Sequence, residues 1–301
     1  MTNNNQKNAS YIYNKNKNNY NLKPNLYINK SKKFFNFYNA IIALTKRLYL
    51  QIYRRPSTLI AGILQPLLWL ILFSALYQNA PITLFAKNIK YREFLNPGIV
   101  IFTAFTGSMN AGLPIIFDRE FGFFNRLIVS PLKYKTSLML SCLLYIWTIT
   151  IFQIIVITNY SIIFFKTIPS PYYIYNILFL STLIIFNSAT ISISLSFILP
   201  GHIEFLAFLL VTNLPILFSS TALAPLSFMP YWLQIAACIN PLTYAIEILR
   251  HTYLKIQQGN ENYIIETIWI NLNLNQSIII LVISNIINLL LVSYLIKYKY
   301  E

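Results

Sequence analysis

Along this chain, long apolar stretches of twenty or more residues alternate with short polar segments. Six stretches reach the roughly 20 residues that a helix needs to cross a hydrocarbon layer of about 30 Å. They are residues 57–77, 96–117, 136–160, 173–199, 203–224 and 276–296. Pro66 and Pro215 fall inside two of them, which a membrane helix tolerates. The second is rich in small residues (Gly98, Ala104, Gly107, Ser108, Ala111, Gly112) that let helices approach closely. Ahead of the first, residues 34–55 carry apolar positions Phe34, Tyr38, Ile41, Ile42, Leu48 and Ile52 at helical spacing. Lys46, Arg47, Arg54 and Arg55 are their polar partners. This pattern predicts a helix lying in the headgroup region, its basic residues near anionic lipid, rather than a plain linker. Between the fifth and last stretches, residues 225–239 and 241–254 are apolar but too short to cross, and Asn240-Pro241 separates them. Two short re-entrant helices dipping in from one face fit better than two more spans.

The fold class expected is therefore an all-α integral membrane protein. It has six transmembrane helices, an N-terminal interfacial helix and a pair of short re-entrant helices before the last span. Composition agrees, since 56% of residues are hydrophobic and 10% charged, too little charge to keep a soluble surface of this size dispersed. Residues 1–33 are Asn- and Lys-rich without apolar period and read as a disordered basic tail, leaving 34–299 as the membrane domain. The tail has no apolar core of a secretory signal and little of the Arg and Ser of a transit peptide. Six alternating spans with the N-terminus inside place 17 Lys and Arg on that side against 6 on the other, so both termini are expected inside. Heavy use of Asn, Lys, Ile, Tyr and Phe points to an A+T-biased genome such as that of an organelle or a reduced endosymbiont.

Candidate chemistry is sparse. The seven glycines form neither a phosphate-cradling P-loop nor a dinucleotide turn, so no nucleotide hydrolysis through a P-loop is expected of this chain. No hydrolase motif or metal-ligand spacing occurs, and Cys142, Cys238, His202 and His251 are isolated. No catalytic residue, metal or cofactor is therefore expected. The basic tail suits anionic lipid rather than nucleic acid. A charge at mid-span costs about 2.5–3.5 kcal/mol on the insertion scale. The predicted spans carry none away from their ends, which argues against a proton- or ion-coupled carrier. Asn110, Gln153, Asn187, Asn213, Asn285 and Asn288 are the deep polar residues; gluing helices is the favoured role, lining a pathway the other.

The most informative polar segment is DREFGFFNRLIVSPL, residues 118–132. Asp118, Arg119 and Glu120 close the second span, Gly122 permits a sharp turn, and Ser130-Pro131 can start the next helix. Phe123, Phe124, Leu127 and Ile128 beside Arg126 make a short amphipathic helix, suited either to a groove in a soluble partner or to the lipid interface. This segment resembles the inner loop of ABC-2 type transport permeases, in which an acidic-basic-acidic run precedes Gly and then Leu-x-x-Ser-Pro. Residues 224–250, APLSFMPYWLQIAACINPLTYAIEILR, resemble that family further through Pro-Leu-Ser-x-x-Pro, Asn-Pro-Leu-Thr-Tyr and the terminal Glu-x-x-Arg. The likeness is greatest to the plastid-encoded permeases of red algae.

The resemblance implies a transmembrane subunit of an ATP-binding-cassette exporter that pairs as a dimer, each half docking a separate ATPase subunit. It implies that residues 118–131 (Asp118, Arg119, Glu120, Gly122, Arg126, Leu127, Ser130, Pro131) contact the ATPase as a coupling helix, and that residues 34–55 form a connecting helix. Pro225, Pro230, Asn240, Pro241, Tyr244, Glu247 and Arg250 would shape the exit. Phe123 follows Gly122 where many relatives have Thr or Ser. The alternatives are a haem- or cytochrome-biogenesis permease and a non-transporting membrane assembly factor. A plastid membrane is the expected location, with a bacterial-type inner membrane as the alternative.

Overall fold

Helices form wherever the chain runs apolar without charge, and their ends follow local chemistry. The computed structural model describes residues 33–78, 91–124, 136–165, 170–254, 265–266 and 271–300. Contacts separate Met1–Asn36 from Phe37–Glu301, and the second unit is the one described here. The tail expected at residues 1–33 lies outside the described residues except for Lys33. Helix α1 spans Lys33–Arg54 and α2 spans Ser57–Leu76, separated by the Arg55-Pro56 break. The next span is one 30-residue helical run, Tyr91–Glu120. It consists of α3 (Tyr91–Ser108), a tighter turn over Met109–Gly112, and α4 (Leu113–Glu120). Helix α5 is Thr136–Phe165 and α6 is Pro171–Ile198. Ser170 caps α6 by accepting the Tyr173 N–H at 3.3 Å, with Pro171 in its first position.

Helix α7 is His202–Phe218, and the bent pair follows as α8 (Tyr231–Ile239) and α9 (Pro241–Leu254) at 87°. Asn240 makes the bend: it ends α8, and its side-chain oxygen accepts the Leu242 N–H at 3.0 Å to start α9. A two-residue antiparallel ladder pairs β1 (Ile265–Glu266) with β2 (Asn271–Leu272). Helix α10, Leu274–Tyr300, opens with the Asn273 N–H donating to the Gln276 side-chain oxygen at 3.0 Å.

The helical membrane class, the basic first helix and the bent pair before the last span all match expectation. Three boundaries differ for tertiary reasons. Helix α3 starts at Tyr91, not 96, because Tyr91, Phe94 and Leu95 bury against Leu70, Trp69 and Phe73. Its run continues through Asp118–Glu120, whose side chains find partners described below. The predicted fifth span, 203–224, stops at Phe218, leaving 17 residues or about 25 Å of helix, less than the hydrocarbon thickness. Five described helices are long and apolar enough to cross a membrane, with the bent pair a sixth if it counts as one span.

Helix α6 is the centre of the unit and packs against α3, α5, α9 and α10. Burial is uneven. Every residue from Phe94 to Phe105 is buried, whereas α2 buries only Pro66 and Leu70 and exposes Ile60, Leu64, Leu68 and Leu72. An exposed apolar face of this kind is at home in lipid.

Candidate functional site

Successive residues of a helix point about 100° apart, so three in a row face three directions. At the end of α4 each of the three finds a different partner. Asp118, 8% exposed, accepts two hydrogen bonds from Arg47 Nη2 of α1, at 2.6 and 2.5 Å. Arg119 donates to the carbonyls of Ser196 and, at 3.2 Å, Leu199, where α6 ends and its last carbonyls lack helical partners. Glu120 accepts the His202 backbone N–H at 2.7 Å and pairs with the His202 ring Nδ1 at 2.5 Å, at the N-terminus of α7. A cation thus sits at a helix C-terminus and a carboxylate at a helix N-terminus, both favoured by the helix dipoles. The α6–α7 junction is held from both sides. Gly201 lies within it, and a Cβ there would fall 2.6 Å from Glu204 Oε2 and 3.0 Å from Glu120 Oε1.

Gly122 follows with φ of 71°, the left-handed region that glycine enters without strain, so the chain turns there as expected. The Arg47 guanidinium lies 4.3 Å from the centroid of the Phe123 ring. Phe121 is 79% exposed beside the turn. Arg126, Leu127, Ser130 and Pro131 lie outside the described residues. Lys46, Arg54 and Arg55 are exposed, whereas Arg47 is half-buried. It shares the helix face of the buried Leu44 and Leu48, a placement readable from the i, i+3, i+4 spacing. Tyr49 on α1 also bonds Thr148 of α5 and packs edge-on against Tyr145.

The other end of this span meets the residues after α7. Gly98 of α3 lies directly against Ala222, where a Cβ would come 2.6 Å from its carbonyl oxygen. Tyr91 Oη donates to the Leu223 carbonyl at 3.1 Å. Asn240 Nδ2 donates to the Ile216 and Ser219 carbonyls at 3.1 and 3.4 Å. Arg250, 4% exposed, pairs with Glu247 one turn back on α9. It donates to the Thr221 carbonyl at 2.6 Å and the Phe94 carbonyl at 3.4 Å, and lies 3.7 Å over the Phe94 ring. Tyr244 Oη donates to the Cys238 carbonyl at 2.5 Å and braces the bend. Pro225 and Pro230 are extended and precede the short turn Leu226–Phe228 and α8. Asn240, Pro241, Tyr244, Glu247 and Arg250 thus lie at the bend or along α9, with Pro225 and Pro230 on the approach to α8.

The sequence profile of the ABC-2 type transporter family matches residues 39–254, a stretch that includes both clusters. The chain belongs to the ABC-2 type transporter family. It is 49% identical over 262 residues to the "Putative transport permease ycf38" of Pyropia yezoensis, covering 86% of this chain and 89% of that one. It is 44% identical over 277 residues to the protein of the same name from Porphyra purpurea, covering 92% and 95%. With that of Cyanophora paradoxa it shares 45% identity over 263 residues, covering 87% and 91%. This ABC-2 permease is accordingly a multi-pass membrane protein of the plastid.

Between its two clusters the ABC-2 chain is tied by small polar side chains. Ser108 and Ser188 share a hydrogen bond of 2.5 Å. Ser192 Oγ bridges the tight turn in the long span, donating to the Met109 carbonyl at 2.6 Å and accepting the Gly112 N–H at 2.9 Å. Asn187 donates to Ser284 at 2.9 Å and accepts from Asn288 at 3.1 Å, joining α6 to α10 as helix glue. The other deep polar residues do not join helices by described hydrogen bonds: Asn110 and Asn285 bond their own helices, and Gln153 Oε1 and Asn213 Oδ1 are buried without a partner. Cys142 and Cys238 are buried free thiols. Among the described residues no group of three His, Cys, Asp or Glu is placed to hold a metal ion.

Proposed function

We propose that this chain is the membrane-spanning subunit of an exporter powered by a separate ATP-binding-cassette ATPase. Two copies pass a hydrophobic or lipid-like molecule toward the far side of the membrane. The observation that carries this reading is the three-way grip of Asp118, Arg119 and Glu120. A displacement of the loop after Gly122 would reach α1, α6 and α7 together, because one helical turn is bonded to all three. Those three side chains therefore act as transmitters rather than as docking contacts. The docking surface is then Phe121 and the loop beyond Gly122, with Arg126, Leu127, Ser130 and Pro131. Closure of the ATPase around ATP supplies the free energy that favours one arrangement of the helices over the other. Spans that carry few charges suit an apolar cargo.

The test is affinity purification of the tagged chain from its own membranes, followed by assay of ATP hydrolysis. An ATP-binding-cassette subunit is expected to co-purify. Glu120→Gln and Asp118→Asn should retain it while weakening the effect of the permease on its hydrolysis. Purification without any ATP-binding subunit, or with haem-handling proteins instead, sinks the reading.

A further inference from the structure

The stretch between α7 and the bent pair, residues 219–224, has no regular structure, yet Ser220, Thr221 and Ala222 are at most 1% exposed. Irregular backbone buried away from water persists only where protein satisfies its polar groups. Here side chains from elsewhere do so. Asn240 takes the Ile216 and Ser219 carbonyls, Arg250 takes Thr221, and Tyr91 takes Leu223. Arg250 is the cation among them, and it joins this stretch to both α3 and α9. An apolar side chain of similar volume would fill the space without the desolvation cost of a charge. What the planar guanidinium adds is donors for two carbonyls at once.

We propose that Arg250 is the positioning residue of a seal at the far end of the membrane domain. It holds residues 219–224 down on the Gly98 notch of α3, and opening on that side requires it to release the Thr221 and Phe94 carbonyls. Glu247 stands on the same helix as Arg250 and moves with it. The cation therefore keeps a partner after release, and the open state never contains an isolated buried charge. The role in export rests on the reading above; the seal itself is measurable without it.

The experiment uses the full chain in membrane vesicles, with Cys142→Ala and Cys238→Ala, and a single new thiol at Thr221→Cys or Ala104→Cys. A maleimide too polar to cross the membrane is added from the far side, first with no ATP present. Thr221→Cys is expected to label slowly beside Arg250 and at least about tenfold faster with Arg250→Gln, as a local opening equilibrium shifts. Arg250→Lys keeps the Glu247 pair but cannot span both carbonyls, so it should fall between the two. Ala104→Cys, buried in mid-span, should stay protected throughout. Parent-rate labelling of Thr221→Cys in both Arg250 variants overturns the proposal. So does equal acceleration at Ala104→Cys, which would make Arg250 a stabilising residue only. If Arg250→Gln does not accumulate, Arg250→Lys decides by the same criteria. Trapping the co-purifying ATPase with ATP and vanadate then tests the coupling separately: no effect on the parent chain removes ATP-driven opening but leaves the seal standing.

Discussion

The two ends of the Tyr91–Glu120 run are held by different physics. At the Asp118 end two of the ties, Arg47–Asp118 and His202–Glu120, pair side chains of separate elements that are 11–37% exposed, beside the bonds of Arg119 to the α6 carbonyls. At the Arg250 end the ion pair lies within one helix, 5% and 18% exposed, and the ties between elements run from side chains to backbone carbonyls. Water reaches the Glu120–His202 contact, which breaks and reforms at small cost, while the Arg47–Asp118 pair is screened in part. The Arg250 end is desolvated, and losing a partner leaves a buried polar group unsatisfied. A basic end that yields and a far end that holds are what a span needs if a push at one end is to open the other.

Breaking the far end should have the largest effect. Arg250→Met strands Glu247 and two carbonyls, and a loss of roughly 3–5 kcal/mol is expected, read as a lowered unfolding midpoint of the purified chain in detergent. Gly98→Ala drives a Cβ against Ala222 backbone that cannot rotate away; about 1–3 kcal/mol of overpacking should appear in the same measurement. At the basic end Asp118→Asn weakens a charge-assisted pair that is only partly shielded, and about 1.5–3 kcal/mol is its upper range. Raising salt should reduce the difference between Asp118→Asn and parent while leaving that of Arg250→Met unchanged. If salt acts equally on both, the contrast between the ends is wrong. The smallest effect is expected for Glu120→Gln, within about 1 kcal/mol, since the pair is the most exposed and the amide oxygen still accepts the His202 N–H. Its consequence should appear instead in ATP hydrolysis by the co-purifying subunit.

Much of the fold is legible because a bilayer imposes strong rules. Uncharged runs of twenty residues have few structures open to them, and Asn240-Pro241 breaks the helix by its own stereochemistry. The end of α7 was not legible. Residues 219–224 are as uncharged as the helix before them, and what stops the helix is the set of Asn240, Arg250 and Tyr91 side chains that take its carbonyls. The candidate site was legible in its residues but not its wiring. Asp118, Arg119 and Glu120 stand out as a charged run, but a list of letters does not say that one faces α1, one α6 and one α7. Arg47 was grouped with Lys46, Arg54 and Arg55 by charge, whereas its helical face sets it apart.

By itself, then, the sequence determined a helical membrane domain with a basic end, a turn at Gly122 and a bend at Asn240. Each follows from hydropathy, charge or the backbone freedom of one residue, quantities that belong to neighbours along the chain. Only the tertiary structure decided that the charged run grips three elements and that Arg250 is buried over Phe94. Those contacts join residues 71 to 156 positions apart, and no local preference specifies which partners a desolvated charge will find.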